Sequence, residues 1–154
     1  MKVAGYTFNP KHMVMEVYVS GCTPPHCMGC HNPETWDFNY GRDVEDIYCL
    51  LHKEVSTLGK LVKGWWIMGG EPLDQDLPSL KEFLYELNGI HNGYMMLFTK
   101  YDYSKMSLAQ RQIIHEWFKY VKHGRYNSSY PPSIVEVNGV PLTLASNNQY
   151  IVEY

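Results

Sequence analysis

The sequence predicts an α/β fold in which mostly parallel strands alternate with crossover helices and a β-hairpin follows near the C-terminus. Runs rich in β-branched and aromatic residues alternate with segments whose apolar side chains recur every three or four residues. This alternation is typical of parallel sheets with crossover helices. The chain has 154 residues, 45% of them hydrophobic, which suffices for one substantial core. We therefore expect a single domain over residues 1–154.

Four strands and three helices are predicted in the alternating part of the chain. The strands occupy residues 13–19, 64–68, 94–99 and 120–122, where β-branched and aromatic side chains are concentrated. The helices begin at Asp43, Leu77 and Ser107 and end near residues 58, 88 and 118, with apolar residues at helical spacing in each.

The two ends of the chain have different patterns. Residues 1–12 predict an irregular or weakly paired start, because they contain an Asn-Pro turn signal. Residues 134–144 predict a hairpin with a tight Asn-Gly turn, and residues 150–153 predict a last strand. The polar stretch at 146–149 either faces solvent or donates hydrogen bonds to a ligand, and its spacing does not decide between the two.

Three of the four cysteines lie in one loop, residues 20–36, directly after the first strand of the alternating part. Four residues separate Cys22 from Cys27, and two separate Cys27 from Cys30. One short loop with this spacing is able to wrap three sulfurs around a soft metal centre. Because three thiolates do not saturate a four-iron cluster, one iron would remain open for another ligand. The loop therefore predicts a reactive iron–sulfur site.

Other interpretations of the loop remain open. His26 and His31 flank the cysteines, so a structural zinc site with three cysteines and one histidine is possible, although the second paired knuckle of zinc ribbons is missing from the sequence. A disulfide framework is disfavoured, because no signal-peptide pattern opens the sequence; we expect reduced thiols and a cytoplasmic location. Cys49 lies inside a predicted helix and is expected to be a packed structural thiol.

A second loop at a strand end contains Gly69, Gly70, Glu71 and Pro72. Paired glycines allow another group to approach the backbone, and Glu71 places a carboxylate beside exposed amides. Alone this pattern indicates an ordinary turn. It gains weight because the first strand of the alternating part also ends in a loop, which carries the thiols, and α/β proteins typically hold ligands beyond strand ends.

Charge and hydropathy limit the classes of partner. The formal net charge of -3 argues against nucleic acid as an obligatory partner. No apolar stretch approaches the length of a membrane span. We therefore expect neither a nucleic-acid partner nor a membrane partner.

The sequence resembles the glycyl-radical activases, which are small radical S-adenosylmethionine proteins. The similarity is carried by SGCTPPHCMGCHNPETW, by MGGEPL and by the closing SNNQ, and it runs from Met13 to Gln149. Within this family the chain is similar to the activating enzymes of the anaerobic ribonucleoside-triphosphate reductase, and HNPETWD and GGEP are similar to the activase of pyruvate formate-lyase. The resemblance implies a small incomplete (β/α) barrel of the radical S-adenosylmethionine type.

The resemblance also implies the site residues. Cys22, Cys27 and Cys30 would bind three irons of a 4Fe-4S cluster, and S-adenosyl-L-methionine would chelate the fourth. The cofactor-binding residues that it implies are Gly29, Cys30 and His31 beside the adenosyl group, Gly69, Gly70 and Glu71 at the amino group, and Arg125 toward the carboxylate. It implies no general acid or base.

The cysteine loop departs from the family pattern by one residue. Relatives have three residues between the first two cysteines, whereas this chain has four, Thr23, Pro24, Pro25 and His26. A local bulge stiffened by the prolines would absorb the extra residue, and His26 would then approach an iron or point to solvent. His123 is a second departure, at a position where relatives often have an acidic residue.

The implied reaction is reductive cleavage of S-adenosylmethionine. One electron passes to the sulfonium, and methionine and a 5'-deoxyadenosyl radical result. The radical takes a hydrogen atom from a glycine of the large subunit of the anaerobic ribonucleoside-triphosphate reductase, and a low-potential donor such as a flavodoxin supplies the electron. The alternatives are activation of a different glycyl-radical enzyme, radical chemistry on a small molecule, and a zinc-binding interaction module.

Overall fold

The computed structural model describes residues 1–154 and contains nine β-strands and three α-helices. The strands are β1 (Lys2–Asn9), β2 (Val14–Val19), β3 (Arg42–Asp43), β4 (Gly64–Gly69), β5 (Tyr94–Phe98), β6 (Tyr120–His123), β7 (Ser133–Val137), β8 (Val140–Leu144) and β9 (Tyr150–Glu153). The helices are α1 (Val44–Leu58), α2 (Leu77–Ile90) and α3 (Leu108–Trp117). Four short 3-10 helices occupy Pro33–Trp36, Gly59–Leu61, Pro72–Asp74 and Tyr103–Lys105.

Seven strands form one mixed sheet in the order β3-β1-β2-β4-β5-β6-β9. The four strands β2, β4, β5 and β6 are parallel to one another, and α1, α2 and α3 lie in the connections between them. The predicted alternation of parallel strands and crossover helices is therefore confirmed for this central part. β7 and β8 form a separate antiparallel hairpin, as the Asn-Gly turn predicts.

The expectation of a small incomplete (β/α) barrel of the radical S-adenosylmethionine type is wrong. The chain has instead a mixed α/β fold with a large seven-stranded sheet and only three short helices. The physical reason lies at the two sides of the parallel strands. There β1 pairs antiparallel with β2, and β9 pairs antiparallel with β6, so the parallel arrangement stops at both sides instead of continuing around a barrel.

The predicted irregular start of the chain is also wrong, because Lys2–Asn9 is the longest strand of the sheet. Its pairing with β2 shifts register between Val3 and Gly5. This irregularity interrupts the alternation of inward and outward side chains by which a strand is identified in a sequence. The predicted turn then joins β1 to β2, with Met13 at a positive φ of 58°.

The sheet has a buried core on both faces. Trp65 belongs to the larger cluster, which also contains the apolar side chains of the three helices, whereas its neighbour Trp66 belongs to a smaller cluster with Val137 of the hairpin. Adjacent residues of a strand point to opposite faces, so the two tryptophans anchor the two layers. Both side chains are fully buried, and burial of one large apolar side chain contributes about 1.5–3 kcal/mol to folding.

The prediction that Cys49 is a packed thiol is wrong, since the structure exposes it. The buried stripe of α1 consists of Val44, Ile47, Leu51 and Val55. A residue two positions from Ile47 and from Leu51 is turned about 200° away from each on a helix, which places Cys49 on the outer side. None of the helices combines the length and apolarity that crossing a membrane requires.

Candidate functional site

A cavity of about 250 Å³ lies at the carboxyl ends of the four parallel strands. Each strand is followed by a loop that contributes to its wall, as expected for a parallel sheet. The lining residues include Cys22, Cys27, Cys30 and His31 after β2, Gly69, Gly70 and Glu71 after β4, Thr99 and Lys100 after β5, and Lys122, Gly124 and Tyr126 at the end of β6. The start of the loop after the hairpin, at Ala145, also lines this cavity.

The three predicted thiols all line this cavity. Cys22 is buried, and Cys27 and Cys30 are half-buried in a turn in which the Cys30 amide donates to the Cys27 carbonyl at 3.2 Å. Burial raises the pKa of Cys22 to about 11 and also raises the pKa of Cys27. A bound soft metal would oppose this effect, because it binds the thiolate. Three sulfur donors around one cavity form a donor set that fits an iron–sulfur cluster.

Zinc makes a different demand on these residues, because a structural zinc site needs four ligands around one ion. No three His, Cys, Asp or Glu side chains are grouped closely enough to hold one metal ion. His26, one of the two possible nitrogen ligands, stacks on the Trp36 ring at a centroid distance of 3.9 Å. Its Nε2 lies 2.9 Å from the Cys22 carbonyl oxygen. The His26 ring therefore folds back on its own loop.

The glycine pair binds the cysteine loop directly. The Gly70 amide donates to the Val19 carbonyl and the Glu71 amide to the Gly21 carbonyl, both at 2.8 Å. A Cβ atom on Gly69 would overlap the backbone of Val19, and one on Gly70 would overlap the backbone of Gly21. Gly69 is therefore required where the end of β2 approaches its backbone, and Gly70 where the cysteine loop does. The two sequence motifs form one hydrogen-bonded unit.

Glu71 connects the loops that follow β4 and β5. Its side chain is 1% exposed. One carboxylate oxygen accepts from the Leu73 amide at 3.1 Å and the Thr99 hydroxyl at 2.8 Å, and the other accepts from the Lys100 amide at 2.7 Å. Burial raises the pKa of Glu71 to about 7 despite these hydrogen bonds. The carboxylate lines the cavity and still has room to accept one more hydrogen bond.

Lys100 and Asp74 are functional candidates that the sequence analysis missed. Lys100 Nζ lies 2.8 Å from Asp74 Oδ2, 2.5 Å from the Thr23 carbonyl oxygen and 3.4 Å from Cys22 Sγ. Asp74 also accepts from the Thr23 amide at 2.7 Å, the Thr23 hydroxyl at 2.6 Å and the Tyr101 hydroxyl. A lysine directly after the apolar strand β5 was a usable signal, whereas nothing in the sequence singled out Asp74.

The cation that lines the cavity beside β6 is Lys122, whereas Arg125 is not among the lining residues. Lys122 Nζ donates to the Gly124 carbonyl at 3.1 Å. Burial lowers the pKa of Lys122 to about 8, and the nearby Glu71 and Cys27 oppose this shift. The Arg125 carbonyl instead accepts from the Asn148 side chain at 2.7 Å.

Gly29 and His31 have different positions beside the cysteines. Gly29 has a positive φ of 72° and does not line the cavity; a Cβ atom there would lie 2.9 Å from Ser128. It allows the cysteine loop to pack against the loop after β6, where the Ser128 amide donates to the Met28 carbonyl at 3.3 Å. His31 lines the cavity and packs against the Tyr126 ring at 4.6 Å.

His123 and the polar stretch at 146–149 form hydrogen bonds that hold the loops around the cavity. His123 is fully buried, with Nδ1 at 3.1 Å from the Tyr101 carbonyl oxygen and Nε2 at 3.0 Å from the Tyr154 hydroxyl. Gln149 lines the cavity and donates to the Gly124 carbonyl at 3.2 Å, while its own side-chain oxygen accepts from the Ser146 amide at 3.2 Å. The polar stretch thus holds the loop after β6 in place.

A protein-family model described as a 4Fe-4S single cluster domain matches residues 10–151. This match covers most of the chain, including all three cysteines of the cavity. Comparisons with curated proteins and with solved structures found no match.

Proposed function

The chain belongs to the 4Fe-4S single cluster domain family, and we propose that it is a radical S-adenosylmethionine enzyme that activates the anaerobic ribonucleoside-triphosphate reductase. One observation carries the proposal: the three thiols and the Gly-Gly-Glu loop lie on the same cavity and are joined by backbone hydrogen bonds. The thiols suit a cluster, and the loop suits a polar cofactor beside it.

We assign Cys22, Cys27 and Cys30 as the cluster ligands, because they are the three thiols of the cavity. When bound, the reduced cluster supplies the electron that cleaves S-adenosylmethionine to methionine and a 5'-deoxyadenosyl radical. The chain's own task is to orient the cofactor and keep water away from it. The buried Cys22 and Glu71 form the inner part of the cavity, and the half-buried Cys27 and Cys30 form its outer part.

The polar groups of the cavity suit the two ends of the amino acid part of S-adenosylmethionine. Glu71 offers an acceptor to an ammonium group, and Lys122 offers a cation to a carboxylate. Gly69 and Gly70 bring backbone groups close to the same space. Lys122 thereby takes the role that the resemblance implies for Arg125. His31 and Tyr126 offer ring surface for the adenine, with Cys30 beside them.

The proposed partners are the large subunit of the reductase, whose glycine would enter the cavity, and a low-potential electron donor such as a flavodoxin. Entry is favoured on the outer side, where His31 and Gly29 are exposed. We expect the surface of the reductase to complete the exclusion of water, because the cavity of the isolated chain is open on that side.

The first experiment tests the cluster ligands. Wild-type protein is reconstituted anaerobically with iron and sulfide, iron is counted, and electron paramagnetic resonance spectra are recorded with and without S-adenosylmethionine. We expect about four irons per chain and a spectrum that changes on cofactor addition. Replacement of Cys22, Cys27 or Cys30 by alanine should abolish stable cluster uptake. Cys49→Ala is the matched control, because its thiol is exposed on α1 and should not matter.

Tight zinc binding in place of iron would contradict the proposal and favour the interaction module.

The second experiment mixes the loaded enzyme, S-adenosylmethionine and a reductant with the reductase, and follows the glycyl radical by its electron paramagnetic resonance signal. A radical on the reductase supports the activase function. Turnover of a metabolite in the absence of any protein partner would instead favour radical chemistry on a small molecule.

A further inference from the structure

The ammonium group of Lys100 is held by acceptors from the loops after β2 and β4. Its Nζ contacts Asp74 Oδ2 at 2.8 Å, the Thr23 carbonyl oxygen at 2.5 Å and Cys22 Sγ at 3.4 Å. The Thr23 hydroxyl oxygen also lies 3.4 Å from Nζ, so the three N–H donors have four acceptors within reach, of which Cys22 Sγ and the Thr23 hydroxyl are the two more distant. The Lys100 and Asp74 side chains are both 5% exposed, so solvent screens these contacts little. The position of the charge relative to the sulfur is therefore well defined.

Connecting the loops after β2 and β4 does not by itself explain why a lysine is buried here. A buried lysine–aspartate pair contributes little net stability, because the loss of hydration offsets the attraction. Asp74 and Thr23 are able to bind each other without the lysine, through the Thr23 amide at 2.7 Å and hydroxyl at 2.6 Å. The feature that only Lys100 adds is a positive charge directed at a cavity thiol.

We propose that Lys100 is a positioning residue that donates a charge-assisted hydrogen bond to the Cys22 thiolate and thereby raises the reduction potential of the bound cluster. The inference rests on the proposed function, specifically on Cys22 as a cluster ligand. Reduction adds one electron to the cluster, and a fixed positive charge beside a ligand sulfur stabilises that added negative charge. Net charge, hydrogen bonds to the sulfurs and burial are the factors by which proteins set such potentials.

Asp74 lowers the reduction potential of the bound cluster, because its carboxylate is a negative charge near the same sulfur. It also holds Lys100 in place. The two residues form a matched pair for a test. Lys100→Met removes the positive charge and keeps the length of the side chain, so the midpoint potential should shift to a more negative value. Asp74→Asn removes the negative charge and keeps the shape, so the potential should shift to a more positive value.

The experiment is a redox titration of the reconstituted protein, followed by electron paramagnetic resonance, with iron counted in every variant. Lys105→Met is the control, because Lys105 pairs with Asp102 at 3.3 Å on the surface and its side chain is 73% exposed. Its potential should equal that of the wild type. Lys100→Arg keeps the charge, and its potential should lie between those of the wild type and Lys100→Met.

Opposite shifts in Lys100→Met and Asp74→Asn support the proposal, since damage to the loop would move both potentials in the same direction. Equal potentials in Lys100→Met and Lys105→Met overturn it, as do shifts of the same sign in the two buried variants. If Lys100→Met takes up no cluster, the other two variants test the proposal: the midpoint potential should be more positive than the wild type in Asp74→Asn and more negative in Lys100→Arg. The opposite sign in either variant overturns it. A wild-type protein that binds no cluster refutes the proposed function itself and this inference with it.

Discussion

The loops after β2 and β4 differ from the loops at the ends of β5 and β6 in what they bring to the cavity. The first pair brings thiols and closely packed backbone, through Cys22, Gly70 and their neighbours. The second pair brings the cations, Lys100 and Lys122. The first pair therefore offers ligands to a soft metal, whereas the second sets the charge around it.

The two pairs are joined by Glu71, which belongs to the β4 loop and accepts from Thr99 and from the Lys100 amide in the β5 loop. A buried carboxylate is expensive unless its hydrogen bonds are satisfied, so this link contributes order only while these donors are in place. The ligands and the charges of the site therefore depend on the same buried group.

The largest effect is expected for the pH dependence of stability in Glu71→Gln. Burial raises the pKa of Glu71 from 4.5 to about 7 in the folded protein. The folded state then binds the proton more tightly than the unfolded state, so this group stabilises the fold below about pH 4.5 and loses that contribution as the pH rises to about 7. One pKa unit corresponds to about 1.4 kcal/mol, which makes the loss about 3 kcal/mol.

The measurement is the free energy of unfolding from denaturant titrations of the protein without cluster, between about pH 4 and pH 8. The free energy of unfolding of the wild type should fall relative to that of Glu71→Gln as the pH rises from about 4.5 to about 7. Glu34→Gln is the control, because Glu34 is exposed. Parallel pH profiles for wild type and Glu71→Gln would mean that the buried carboxylate does not titrate in this range.

The second effect concerns the approach of the two motif-bearing loops. In Gly70→Ala the new methyl group would overlap the Gly21 backbone, and relief of such overpacking costs about 1–3 kcal/mol of stability. We also expect impaired cluster uptake, because the shift would displace the residue before Cys22. Denaturant unfolding and iron counting measure the two results.

The control for this change is Gly89→Ala. No atom lies within 4 Å of a Cβ atom at Gly89, which is part of α2. Alanine should stabilise the helix there by about 0.5–1 kcal/mol. If Gly70→Ala were as stable as the wild type and bound a full cluster, the glycine pair would have no role in joining the loops.

The sequence predicts that the three thiols share one site, but it does not predict which lysines lie beside them. Three cysteines at short spacing indicate chemistry on their own, and the paired glycines gain weight because they follow a second strand end of the same sheet. Lys100 follows an apolar strand, which is a usable signal, but only the fold shows that it lies beside Cys22 and that Lys122 lines the cavity. The resemblance implies Arg125 for the cofactor carboxylate, whereas the nearby cation that lines the cavity is Lys122.

The fold was predictable to the same degree and for related reasons. The crossover helices and parallel strands follow from local periodicity, and the Ser107 cap forms the capping box that begins α3. Periodicity within a segment does not predict whether the sheet closes into a barrel, because closure depends on how the outer parallel strands pair. β1 pairs with the next strand of the chain, β2, but its shifted register hides the strand pattern in the sequence. β9 pairs with β6, which lies before the hairpin in the chain, so that pairing is set by contacts distant in sequence.

The smallest expected effect decides between the two candidate cations for the cofactor carboxylate. Lys122→Met removes a cation that lines the cavity and is held by the Gly124 carbonyl at 3.1 Å. A charge-assisted hydrogen bond contributes about 1.4 kcal/mol or more, so the affinity of the loaded enzyme for S-adenosylmethionine should fall about tenfold. Arg125→Met, matched in side-chain type, should change it less than about twofold.

Equilibrium dialysis with the cluster-loaded variants measures both affinities under one set of conditions, and the iron content of each variant shows that the cluster is intact. A larger loss in Arg125→Met than in Lys122→Met would return the carboxylate to the arginine that the family resemblance implies. Lys122 would then only support the loop at Gly124. The expected order instead places one cation beside a thiol and the other beside the cofactor.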